Sequence, residues 1–156
     1  MRVGDIRPLT AGEIAFARPI FHDELALERV RLFQAPAFGF GAMVPFGRTI
    51  IFSRWRAPRD FSFADVEAQG WLLHELTHCW QAAHGRILAA AKLKALGVRA
   101  YAFALGGRFE DYNIEQQAEI VRSLYLARAG ALSIASVGEL EALWAQRNGP
   151  NRPQGR

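Results

Sequence analysis

Cysteine is nearly absent. Cys79 stands alone among 156 residues, so no intrachain disulfide can form, and nothing points to an oxidising compartment. Long apolar runs are missing too: none approaches the ~18–20 residues of a membrane span. The opening Met1–Pro8 has no apolar centre and does not read as a signal peptide. The expectation is therefore a protein made in the cytoplasm, with export by a signal-independent route left open. The formal net charge is +4, from 19 basic and 15 acidic residues, but no basic run alternates with aromatics, so no nucleic-acid partner is expected. Internal repeats and domain linkers are also lacking. What remains is 51% hydrophobic, with four Trp and eleven Phe, enough for one cored domain. That domain is placed at residues 1–146, with the Gly/Pro/Asn-rich residues 147–156 as a disordered tail.

Helix signals dominate. Thr10-Ala-Gly-Glu13 has the form of a capping box and predicts a short helix to about Arg18. Val30–Phe33 alternates and predicts a strand; residues 39–47 read as turns, and Arg48–Phe52 is β-branched and apolar, the strongest strand pattern. That strand suits either a core position or a cleft edge that an extended peptide could join. Ser62 is the predicted N-cap of a long helix from about Phe63 to His84, closed by Gly85 at C′. Residues 86–96 read as a second helix, basic through Arg86, Lys92 and Lys94, and Tyr101–Leu105 is ambiguous. Asn113 and Gln116 form a cap pair for a helix over Ile114–Ala129, and Ser136–Glu139 is a capping box for one running to about Gln146.

The long helix contains His74-Glu75-Leu76-Thr77-His78, an H-E-x-x-H pentapeptide. Residues four apart stack on one helix face, so His74 and His78 can offer two imidazole nitrogens to one ion. Zn²⁺ suits them, taking nitrogen ligands at about 2.0–2.1 Å in a tetrahedron. Glu75 then stands beside the ion, where a carboxylate can take a proton from activated water. Cys79 points about 100° away from His78 and reads as a small buried thiol. Trp71 and Trp80 read as packing residues. Gly70, one turn before His74, suggests close packing or ligand approach, since glycine costs a helix interior up to about 1 kcal/mol.

Two residues compete for the third ligand position. His84 has the spacing of the metzincin pattern H-E-x-x-H-x-x-G-x-x-H, but Gln81 stands where that pattern has its turning glycine. On a continuing helix His84 lies about 15 Å along and roughly 80° around from His74, out of reach. Both methionines, Met1 and Met43, precede the motif, so no methionine turn follows it. Glu115 is the second candidate. Glu115 and Glu119 share a helix face four residues apart, an arrangement that repels unless cations hold it, and Ala118 beside them is small enough to admit a neighbouring helix. Glu115 is therefore assigned to the metal and Glu119 to a hydrogen bond behind a ligand histidine. The alternative is a solvated pair with Arg122 as partner. Tyr112 is the candidate donor to a developing oxyanion, although an ordinary structural tyrosine fits as well.

Glu115-Gln-Gln-Ala-Glu119 resembles the E-x-x-A-D element that follows H-E-x-x-H in glutamate-type zincins. With Arg7–Glu13, the H-E-L-T-H-x-x-Q stretch ending at Gln81, and Tyr112–Ile120, the chain is similar over residues 5–130 to bacterial Vgr-related and Rhs-associated proteins. The resemblance implies an α+β, zincin-like fold, mostly helical, with a small sheet packed on the motif helix. It supplies no substrate; the site residues themselves point to a zinc-dependent metallopeptidase-like hydrolase acting on a peptide or protein, and the family's setting adds secretion-system components as partners. The alternative is a catalytically silent zinc-binding module attached to such a system.

Overall fold

Three helices begin at side chains that close their own first turn, as the capping boxes predict. Thr10 Oγ1 accepts from the Glu13 N–H at 3.1 Å while Glu13 Oε2 accepts from the Thr10 N–H at 2.8 Å, opening α1 (Ala11–Phe21). Asn113 and Gln116 cap α3 (Ile114–Arg128) in the same reciprocal way. Ser136 and Glu139 do so for α4 (Val137–Ala145). Between α1 and α3 lies α2 (Val66–Ala83), capped by Asp65, whose Oδ1 accepts from the Ala68 N–H at 2.7 Å. The cap expected at Ser62 is thus corrected. Its hydroxyl donates to Asp60 Oδ1 within a 3₁₀ turn over Phe61–Phe63, and the helix starts one cap later. The first helix also outruns Arg18, because Ile20 and Phe21 are buried in the core.

This computed structural model describes residues 1–37, 42–45, 47–53, 57–85 and 104–148. The helix expected over 86–96 lies outside them, as does most of 101–105. Among the described residues the architecture is α+β, with four α-helices and a four-stranded sheet in the order β1-β2-β4-β3. The strands are β1 (Ile6–Pro8), β2 (Arg31–Gln34), β3 (Ala42–Met43) and β4 (Thr49–Phe52). β2 and β4 run parallel, with Leu32 opposite Ile50 and Gln34 opposite Phe52, and β1 and β3 flank them antiparallel. Alternate residues of β2 and β4 are buried, in the two-residue period of a half-covered sheet. β3 falls inside the stretch read as turns; two residues are too short to leave a periodic signal.

α2 is the central element. Gly70 and every residue from Leu72 to Gln81 are buried, the pattern of a helix packed on all sides. α3 lies against it. Ala118 is fully buried, and a Cβ at Gly70 would sit 3.3 Å from Arg122 Cγ and 3.4 Å from Leu126 Cδ2, so close packing explains the glycine. α4 closes the far side. Trp144 packs on Trp80 and Phe21, and its indole N–H donates to the Ile20 carbonyl at 3.1 Å. Arg147 lies in the stretch expected to be tail, yet its guanidinium pairs with Glu24 at 2.8 Å. Glu13 is fully buried and receives both Arg7 nitrogens at 2.7 Å and the Phe61 N–H, tying β1, α1 and the 3₁₀ turn together. No helix among the described residues is long and apolar enough to cross a membrane.

Candidate metal centre

α2 and α3 meet so that His74 and His78 face Glu115. All three are buried, at 2%, 1% and 7% exposure. The two imidazole rings stand 5.1 Å apart, nearly perpendicular. Glu115 Oε2 lies 3.3 Å from Nε2 of each. One ligand atom from each residue falls within 4.8 Å of the others. Glu115 arrives there because the Asn113 cap fixes the start of α3 and places it on the first turn.

The donor set fits a divalent cation. Neighbouring ligand atoms of a tetrahedron with bonds of about 2.0 Å stand about 3.3 Å apart, the spacing of Glu115 Oε2 from both nitrogens. His78 Nε2 is buried and makes no hydrogen bond among the described residues. A carboxylate and two imidazoles taken out of water need positive charge among them. Without an ion a proton meets part of that need. Burial opposes a charged His74, but hydrogen bonding to Glu115 and Glu119 and the nearby Glu75 override it, raising its pKa to about 9.

Behind His74, Glu119 Oε2 lies 3.6 Å from Nδ1, and Glu119 Oε1 accepts from Arg122 at 2.5 Å. One carboxylate oxygen of Glu119 thus meets Arg122 and the other faces His74. Burial works against the Glu119 charge, yet His74 on one side and Arg122 on the other hold its carboxyl below the usual value. Arg122 also pairs with Glu67 at 2.5 Å and lies 4.6 Å over the Trp71 ring.

Glu75 is 7% exposed, and its Oε2 is buried without a hydrogen-bond partner among the described residues. It lines a mainly apolar cleft of about 310 Å³ with Trp71, Phe52, Phe61 and Ala42. Trp71 corrects the expectation of a packing residue. It is 36% exposed and lines that cleft, with its ring 5.3 Å from His74; Trp80 does pack in the core.

The other candidates lie elsewhere. His84 turns back on its own helix, with Nδ1 2.7 Å from the Trp80 carbonyl. The Tyr112 hydroxyl donates to the Ala104 carbonyl and accepts from the Gly107 N–H, both at 3.1 Å, bracing that loop. Cys79 is fully buried, and burial together with Glu75 pushes its thiol pKa up. Sequence reasoning missed Gln81 and Gln117. Gln81 Oε1 lies 2.8 Å from His78 Nδ1, and its amide nitrogen reaches Gln117 Oε1 at 3.0 Å. The signal available was the three-residue spacing of Gln81 from His78, which puts both on one helix face.

Fold and site together define an α+β domain whose central helix and a neighbour gather a buried His–His–Glu cluster beside an apolar cleft. No family model matches the chain. The chain is 35% identical over 133 residues to the type VI secretion system spike protein VgrG2b of Pseudomonas aeruginosa, a match covering 78% of this chain. The chain spans only 13% of that protein's length. Among solved structures, the effector domain of Pseudomonas aeruginosa VgrG2b is similar with a TM-score of 0.69 and 28% identity, covering 93% of this chain and 84% of that one. The chain is thus a homologue of the VgrG2b effector domain.

Proposed function

We propose that this chain is a zinc-dependent, metallopeptidase-like hydrolase of the glutamate-zincin type that works as an effector-type domain with a secretion system. One observation carries the reading: His74, His78 and Glu115 meet at ligand spacing beside the buried Glu75 Oε2, which has no hydrogen-bond partner among the described residues. Those three residues would hold Zn²⁺ and leave a position for water or substrate. When bound, zinc supplies Lewis acidity, drawing the pKa of a coordinated water toward about 7 and polarising a carbonyl. The chain's own residues handle protons and orientation. Glu75, desolvated in the cleft wall, takes a proton from water at Oε2 and passes it to the departing amine of a peptide substrate. Trp71, Phe52 and Phe61 offer the apolar walls that would receive a substrate side chain and keep water from Glu75. Glu119, held by Arg122, steadies His74 from behind.

Glu75→Gln tests this reading. Hydrolysis of a mixed peptide library should fall by roughly 10²–10⁴-fold, with zinc content unchanged. Undiminished cleavage by the variant would overturn the assignment. The second reading, a silent zinc-binding module of a secretion apparatus, is favoured by kinship to a spike protein and by the engagement of the Tyr112 hydroxyl away from the cluster. It predicts no cleavage by either form and equal capture of secretion-system components by both.

A further inference from the structure

A chain of buried amides runs from α3 and the segment before it to the back of His78, and its polarity is forced from one end. The carbonyls of Phe109 and Tyr112 can only accept. Gln117 Nε2 lies 2.9 Å and 3.0 Å from them, so its amide nitrogen must face that way and its Oε1 must face Gln81. That oxygen is also only an acceptor. Gln81 Nε2 donates to it at 3.0 Å and to the Ile114 carbonyl at 2.9 Å, using both amide hydrogens. Gln81 Oε1 is left to face His78 Nδ1 at 2.8 Å, and an amide oxygen cannot donate. The hydrogen between them therefore belongs to His78. Both glutamines are fully buried, so water does not stand in for either.

We infer that Gln81, itself oriented by Gln117, is a positioning residue that fixes the His78 tautomer, with the hydrogen on Nδ1 and the lone pair of Nε2 turned toward Glu115 and His74. The two histidines thus have unlike neighbours behind them: a carboxylate oxygen 3.6 Å from His74 Nδ1, and a neutral amide oxygen 2.8 Å from His78 Nδ1. The same amides link α2 to the first turn of α3, Gln81 bonding Ile114 and Gln117 on either side of Glu115. Tautomer and ligand spacing are set by one set of bonds. The inference rests on the metal-centre part of the proposed function and is independent of hydrolysis.

The test is the ring tautomer in the full, metal-free, ¹⁵N-labelled chain, read by long-range nitrogen–proton correlation, together with zinc affinity by chelator competition. Wild-type His78 should show a protonated Nδ1 and a bare Nε2. Gln81→Leu should abolish that preference, the hydrogen moving to Nε2 opposite Glu115, and weaken zinc binding by about 10–100-fold. Gln81→Glu keeps an acceptor at Nδ1 while removing the donor to Ile114 and Gln117. It should retain the tautomer and most of the zinc affinity even as the melting temperature falls. A purely structural role predicts the reverse, with Gln81→Glu resembling Gln81→Leu in both readouts. A wild-type His78 protonated on Nε2 overturns the inference without any variant, as does an unchanged tautomer in Gln81→Leu. Wild-type protein that shows the expected tautomer but takes up no zinc refutes the metal centre and leaves the tautomer assignment standing.

Discussion

Glu115 Oε2 lies 3.3 Å from His78 Nε2, a nitrogen that makes no hydrogen bond among the described residues. This contact joins the two helices at the point where the three side chains converge, and the metal prediction follows from it. Purified wild-type protein should carry about one zinc per chain by elemental analysis. His74→Ala, His78→Ala and Glu115→Ala should each carry almost none. Full occupancy in Glu115→Ala would remove that residue from the ligand set.

The metal-free protein should respond to pH through His74. Its pKa is raised from 6.5 to about 9 in the folded chain, so the folded state binds this proton more tightly than the unfolded one. That stabilisation is complete below about pH 6.5 and is lost as pH rises through about 9. Melting of the metal-free form should therefore decline over that window, while the zinc-loaded form lacks this component. Zinc must displace the same proton, so its apparent affinity should rise roughly tenfold per pH unit across the window. A flat zinc affinity would show that no proton is displaced.

Arg122→Met tests the support behind His74. It removes the partner of Glu119 Oε1 and of Glu67, and the cation over Trp71. Zinc should bind about tenfold more weakly, at the low end for a group behind a ligand. Chelator competition measures this, and unchanged affinity would mean that Glu119 needs no help from Arg122.

Arg7→Met leaves Glu13 charged and fully buried with only N–H donors for company. Breaking a buried pair in this way costs about 3–5 kcal/mol, readable in urea unfolding. A loss below about 1 kcal/mol would place Arg7 among ordinary surface pairs.

Ala118→Leu probes the approach of α3 to α2. The position is fully buried, and extra methylenes in a packed core cost about 1–3 kcal/mol. The helices should be forced apart at Glu115, so zinc affinity should fall together with stability. Loss of stability with full zinc affinity would show that the centre tolerates the displacement.

The sequence carried much of this, but unevenly. His74, Glu75 and His78 announce themselves by spacing on one helix, and Glu115 by a like-charged neighbour four residues on that makes no sense on a bare surface. The Thr10, Asn113 and Ser136 caps are local, so they were legible. Gln81 was not, because its partners, Gln117 and the Ile114 carbonyl, come from a distant element, and an amide's meaning depends on what faces it. Ser62 misled because two capping residues stand three apart, and only its hydrogen bond back to Asp60 in the preceding 3₁₀ turn shows that it is already engaged. Trp71 misled for a related reason. α2 is buried on nearly every side, so no apolar stripe marks which of its aromatics faces the cleft.

The bracing of Trp144 against Ile20, and of Arg147 against Glu24, has a practical corollary. The chain's late residues are fastened to its first helix and the turn after it, while Trp80, two residues after His78, packs on that same Trp144. Any shortened form intended for grafting onto another protein must therefore run through Arg147. A cut before Val137 would strip the lid from the back of α2 and release the two ends of the fold from each other.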